Sequence, residues 1–279
     1  MNAIRKGDCH PRQKPVKLNP TLRIGIFTAL GATKLMANPT VGKPGLVSIT
    51  KKILMAVTGL LLCVFLVLHL LGNTLLLFGN VAFNNYAHLL MTWPPLVWAM
   101  EIGLAALFLI HAYEGVEVYR GNKAARPQGY EVSAWAKTKS PRSRKSTSST
   151  TMIWTGVVIL VFLVLHVGHL KFNKFWTVQE YQTPTTGLAV GLAGNQPGEM
   201  RDLYRLVSEE FHKPVVVVLY LFAMIALGLH LNHAVYSATQ TLGANDRRRE
   251  KVIRLLGSAF ALVIALGFAS LPIIMYLRP

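Results

Sequence analysis

Four histidines, His69, His111, His166 and His230, stand inside long apolar stretches of this sequence. An imidazole in hydrocarbon must find a hydrogen-bond partner, a proton path or a metal, or it costs free energy. Their spacing is repeated. Thr58-Gly59 is followed after nine residues by His69, and Thr155-Gly156 after nine residues by His166. Pro95 precedes His111 by sixteen positions, and Pro214 precedes His230 by the same sixteen. Two neutral imidazoles facing each other across a helix bundle form the axial ligand set of a low-spin b-type haem, with no coordination position left for oxygen. The chemistry such a site permits is electron transfer. A lone histidine in a span could equally bond a neighbouring helix or relay protons; the doubled spacing favours two ligand pairs and hence two haems b. His169 and His233 each follow a proposed ligand by three residues on the same helix face, and they stay open as rivals to His166 and His230. His10, His88 and His212 fall in the leader or in loops and read as surface residues.

Long apolar helices have to position these rings. Lys51 to Phe78 has no charge after its two lysines and exceeds the roughly 20 helical residues that cross a hydrocarbon core. Similar runs give five expected transmembrane helices, about 52–78, 95–119, 150–172, 214–239 and 252–277. With 279 residues, 52% hydrophobic and 15% charged, the expected fold class is an all-α integral membrane bundle in the lipid bilayer. Residues 1–47 read as a basic cytoplasmic leader and 48–279 as the membrane domain. The net charge of +17 could suggest nucleic acid, but the basic residues flank apolar runs and no nucleic-acid motif accompanies them. Cys9 and Cys63 are the only cysteines, which leaves no disulfide framework and no thiolate metal site. The N-terminal stretch is basic and proline-containing, unlike a cleaved signal.

Lysine and arginine collect in the leader, between the second and third spans, and in NDRRREK between the fourth and fifth. The stretches GNVAFNNYAHLLMTW and 173–213 have no such excess and read as connecting loops. By the positive-inside rule the N-terminus is cytoplasmic and the C-terminus outside. His69 and His166 then lie toward the outer ends of their helices, about 15 Å beyond Gly59 and Gly156, while His111 and His230 lie toward inner ends. One pair belongs to each leaflet. Gly59 and Gly156, one level away from the histidine of their own helix, would let the other macrocycle approach the backbone.

The segments VTGLLLCVFLVLHLLGN, LFLIHAYEG, TGVVILVFLVLH and GLHLNHAVY resemble the membrane cytochrome b subunit of succinate dehydrogenases and fumarate reductases, in the class with one anchor polypeptide, five helices and two haems. The resemblance covers about residues 46–277. It implies that His111 and His230 bind the iron of the haem near the cytoplasm and that His69 and His166 bind the outer one. It also implies the anchor of respiratory complex II, a succinate:quinone oxidoreductase of the tricarboxylic acid cycle, in a bacterial inner (cytoplasmic) membrane. Flavoprotein and iron–sulfur subunits would dock on the cytoplasmic face, and electrons would pass from them to membrane quinone, menaquinone or ubiquinone, without succinate oxidation in this chain. Higher oligomers of the whole complex stay open. Lys52 and Arg120, at the inner ends of the first two spans, are the candidates for the haem propionates. Two features depart from the family: the leader and the 173–213 connection are long, and Gly228 stands where some fumarate-reducing members carry an acid. Another quinone-linked cytochrome b, of hydrogenase or formate dehydrogenase type, and a haem-free histidine-relay transporter are the alternatives.

Glu101 lies ten residues before His111, about 15 Å outward along the helix and so near the outer pair. A carboxylate at that depth needs water, a partner or a cofactor. It is expected to handle protons for a quinone with Tyr86 and His88 as neighbours, or else to snorkel toward the outer interface or accept a hydrogen bond from a neighbouring helix.

Overall fold

A computed structural model of the chain describes residues 45–124, 151–172, 182–184, 199–246 and 248–278. The expectations for the leader up to residue 44, for the basic segment 125–150 and for 173–181 fall outside the described residues. Among the described residues, five helices are long and apolar enough to cross a membrane, and the rest is helical apart from one short antiparallel strand pair. They are α1 (Gly45–Thr74), α3 (Pro94–Ala124), α4 (Met152–Leu170), α6 (Pro214–Thr241) and α7 (Glu250–Leu277). Two of them open on proline, Pro94 and Pro214, where the missing N–H would be unpaired anyway. Pro272 sits inside α7, in a buried position against neighbouring helices.

The chain crosses back and forth, so α1, α4 and α7 run one way and α3 and α6 the other. One end of the bundle gathers Lys51, Lys52, Arg120, Lys123, Arg249 and Arg254 and is called here the basic end. The α6 helix is central, packed along α7 and α4, through Ala223, Met224, Leu227 and Leu231 of α6 and Ala261 and Ile264 of α7. Much of the remaining apolar surface points outward, including Trp98, Ile102 and Leu109 of α3, as expected where lipid tails replace water as the neighbour.

The opposite end is capped, and here the structure corrects the reading of both connections as loops. GNVAFNNYAHLLMTW is mostly helix, α2 (Asn80–Met91). A 3₁₀ turn, Leu75–Phe78, ends at Gly79, whose φ of 98° favours glycine and lets α2 start at once in a new direction. The second connection contains the antiparallel pair β1 (Gln182–Pro184) and β2 (Glu199–Arg201) and the helix α5 (Leu203–Phe211). Leu206, Val207, Glu210 and Phe211 line one buried face of α5, the spacing of an amphipathic helix. Both helices are too short and polar to announce themselves as spans. They pack with the ends of α6 and α7 in a cluster of Leu76, Phe83, Leu206, Val207, Phe211, Val216, Tyr220 and Met275.

Side chains lock this cap. The Asn84 amide, 2% exposed, donates to Asp202 Oδ1 at 2.8 Å and accepts from the Tyr204 N–H at 2.9 Å. The Arg278 guanidinium donates to the carbonyls of Leu76 (3.3 Å) and Leu77 (3.0 Å), which a helix end otherwise leaves without intrahelical partners. His212 reaches Ser208 O with Nδ1 at 2.7 Å and Arg278 O with Nε2 at 2.9 Å. Carbonyl oxygens only accept, so holding both contacts as hydrogen bonds favours the doubly protonated ring. These bonds, with Glu209 nearby, raise its pKa above the ordinary histidine value.

Candidate functional site

The fold brings the four proposed ligands together as two pairs joining different helices. Near the basic end, His111 of α3 faces His230 of α6 with ring centroids 6.3 Å apart and planes at 70°. Near the capped end, His69 of α1 faces His166 of α4 at 6.0 Å and 86°. An imidazole nitrogen binds a first-row metal at about 2 Å and lies about 1 Å from its own ring centre, so rings on opposite sides of one ion have centroids about 6 Å apart. Both pairs have that separation. Among the described residues no group of three or more His, Cys, Asp or Glu could hold a metal. A donor set of two imidazoles suits an ion that arrives with its own macrocycle.

The proton positions follow from what holds each ring. His111 Nδ1 lies 3.1 Å from Met55 O and 3.4 Å from Thr58 Oγ1. The Thr58 hydroxyl donates to Leu54 O at 2.8 Å, so its oxygen can accept from the ring. His111 therefore carries its proton on Nδ1 and keeps the Nε2 lone pair for a metal. His230 repeats the arrangement: its Nδ1 is 3.2 Å from Thr155 Oγ1, which donates to Met152 O at 3.0 Å. The glycine beside each threonine makes room for the same ring. A Cβ on Gly59 would meet His111 Cε1 at 2.9 Å, and one on Gly156 would meet His230 Cε1 at 3.6 Å. Against each glycine thus lies a histidine ring of the following membrane-length helix, His111 at Gly59 and His230 at Gly156.

The other pair is held differently. His166 Nδ1 is 3.0 Å from the Tyr220 hydroxyl, and Tyr220 is 7% exposed. The His69 ring meets its own-helix neighbour Asn73, whose amide nitrogen is 3.3 Å from Nδ1 and 3.4 Å from Nε2. Aromatic rings line this pair: Phe65 stacks on His69 at 5.2 Å, Phe162 on His166 at 5.5 Å, and Phe268 lies 5.6 Å from His69.

No family model, curated protein or solved structure matches this chain.

The rival histidines separate on contacts. His169, 1% exposed, is turned to α5, with Nε2 3.0 Å from Glu210 Oε2, and Lys213 Nζ reaches Glu210 Oε1 at 2.6 Å. The ring that meets His111 is His230, while His233 lies one turn nearer the basic end.

The remaining candidates do not converge. Glu101 pairs with Lys171 of the α4 end. Tyr86 packs its phenol on Gly72, where a Cβ would fall 2.5 Å from the hydroxyl oxygen. His88 lines a shallow pocket with Met91, Met200 and Arg201. At the basic end, Lys51 rather than Lys52 makes the cross-helix tie, 2.8 Å to Glu117. Arg120 lies 3.5 Å from the same carboxylate, and Lys52 is exposed. Sequence reasoning missed the parts played by Thr58, Thr155, Tyr220 and Glu210. The doubled Thr-Gly was a usable signal for the first two, whereas nothing in the spacing marks the others.

Proposed function

We propose that this chain is the membrane anchor of a succinate:quinone oxidoreductase, binding two haems b and carrying electrons between an iron–sulfur subunit and quinone in the bilayer. The observation that supports this best is the pairing of four intramembrane histidines across helices at two levels, with at least two rings bonded so that Nε2 is available. His69 with His166, and His111 with His230, would each hold one haem, which would supply one-electron chemistry there. The chain's part is to hold the rings in place and to keep water from them within the bundle. The family and the soluble partners rest on the resemblance of the helix motifs.

The basic end faces the cytoplasm in this reading, by the positive-inside rule, and the capped end faces outward. The membrane is the bacterial cytoplasmic one, and the flavoprotein and iron–sulfur subunits dock on the basic end. Lys52 and Arg120, at that end, are the residues proposed for the haem propionates. Glu101, paired with Lys171 at the outward end, remains the acid proposed for quinone protonation.

A reduced-minus-oxidised optical spectrum of the purified chain tests the haem reading, with a b-type band and a content of two haems per chain expected. Absence of the band removes it and favours a histidine relay. Co-purification with subunits that oxidise succinate separates this anchor from that of another quinone-linked dehydrogenase.

A further inference from the structure

We propose that Tyr220 is a positioning residue that accepts the His166 Nδ1–H bond and thereby lowers the reduction potential of the haem bound by His69 and His166. The inference rests on the dihaem reading above and concerns a residue outside the ligand set.

The Tyr220 hydroxyl lies 3.0 Å from His166 Nδ1. Its ring is fixed edge-on by three neighbours, Phe162 (5.0 Å), Phe211 (5.0 Å) and His166 itself (5.8 Å). Residue and hydroxyl are therefore held in the outer cluster, with 7% of the residue exposed. A neutral imidazole carries one proton. If Nε2 is the metal ligand, that proton is on Nδ1 and the phenol oxygen must accept it. An acceptor on the far nitrogen draws the ring toward imidazolate character and raises ligand basicity. More electron density at the iron favours the oxidised form. Burial leaves Nδ1–H no water as a substitute acceptor, so deleting the hydroxyl removes this bias outright. The other three rings have different acceptors or donors, namely Met55 O and Thr58 for His111, Thr155 for His230 and Asn73 for His69. Tyr220 therefore acts on one haem only.

The test is an equilibrium redox titration of the b-type absorbance in membranes holding the complete chain, for the wild type, Tyr220→Phe and His166→Ala. Tyr220→Phe keeps the ring contacts and removes only the oxygen. It is expected to raise one of the two midpoints by about a tenfold change in the oxidised-to-reduced ratio, which is about 59 mV for a one-electron couple, and to leave the other in place. The shifted wave is expected to be the one missing from His166→Ala. Site-specific 3-fluorotyrosine at position 220 keeps the hydroxyl but weakens its oxygen as an acceptor, so it should move the same midpoint the same way by less. Two unchanged midpoints in Tyr220→Phe at full haem content would overturn the proposal while leaving the haem reading intact, as would an equal shift of both. A wild-type chain without haem absorbance is the separate failure of the dihaem reading.

Discussion

The two histidine pairs offer the same imidazole groups at nearly the same ring separation, 6.3 and 6.0 Å, but have different surroundings. The His111–His230 pair is held by a repeated device: a threonine on a neighbouring helix accepts from the ring while its adjacent glycine yields space. The His69–His166 pair sits among Phe65, Phe162, Phe268 and Tyr220 and receives a phenol on one ring and an amide on the other. In the proposed dihaem reading, matched histidines with unmatched partners are a way to give two haems different potentials within one small bundle. The ends of the molecule differ in the same sense. The capped end has a buried carboxylate, Glu210, against a buried imidazole, His169, whereas the Lys51–Glu117 pair of the basic end is partly exposed.

Breaking one pair while sparing the other is the largest effect available. In the dihaem reading proposed above, His111→Ala or His230→Ala should lose one haem of two and keep the second, and His69→Ala or His166→Ala should do the reverse. Haem quantification with redox titration measures this. Loss of a haem from His169→Ala, with His166→Ala retaining it, would reverse the assignment at the capped end.

The two ends can be compared by removing one carboxylate from each. Glu210 is 3% exposed and its Oε2 lies 3.0 Å from Nε2 of the buried His169, so Glu210→Ala should cost about 1–3 kcal/mol, since a buried polar ring loses the carboxylate it meets. The Lys51–Glu117 pair has side chains 32% and 26% exposed, so Glu117→Ala should cost under about 1 kcal/mol. Thermal unfolding in detergent gives both, and equal losses would mean that the capped end gains nothing from its burial.

Within the Thr-Gly device the two copies differ in tightness. An added methyl at Gly59 meets His111 Cε1 at 2.9 Å, whereas at Gly156 the ring stands 3.6 Å away. Gly59→Ala should therefore lower occupancy of the His111–His230 haem severalfold, and Gly156→Ala should leave it near the wild-type level. Haem content read with the separate midpoints distinguishes them.

The smallest expected effect is the pH response of the cap. His212 has a folded pKa raised above its ordinary value of 6.5 by two carbonyl acceptors. Its contribution to stability is complete below the unfolded pKa and fades as pH rises from there through the folded pKa. The ring is largely exposed, so the change is modest. His212→Gln should flatten the pH dependence of thermal stability above about pH 6.5; an unchanged slope would assign it to another group.

The sequence by itself determined the spans and the ligand candidates, because hydrocarbon thickness sets helix length and a histidine in an apolar run is conspicuous. The same local logic marked Thr58-Gly59 and Thr155-Gly156 as repeats, though not as parts of the site. Only the tertiary structure decided that His169 turns to Glu210, that Glu101 meets Lys171 and that Tyr220 reaches His166. Each of those contacts joins residues far apart in the chain, and one residue's rotation on its helix sets its partner where no sequence period does. The cap was hidden for a different reason. The α2 and α5 helices are short, polar segments whose apolar faces acquire meaning only when the ends of α6 and α7 lie beneath them.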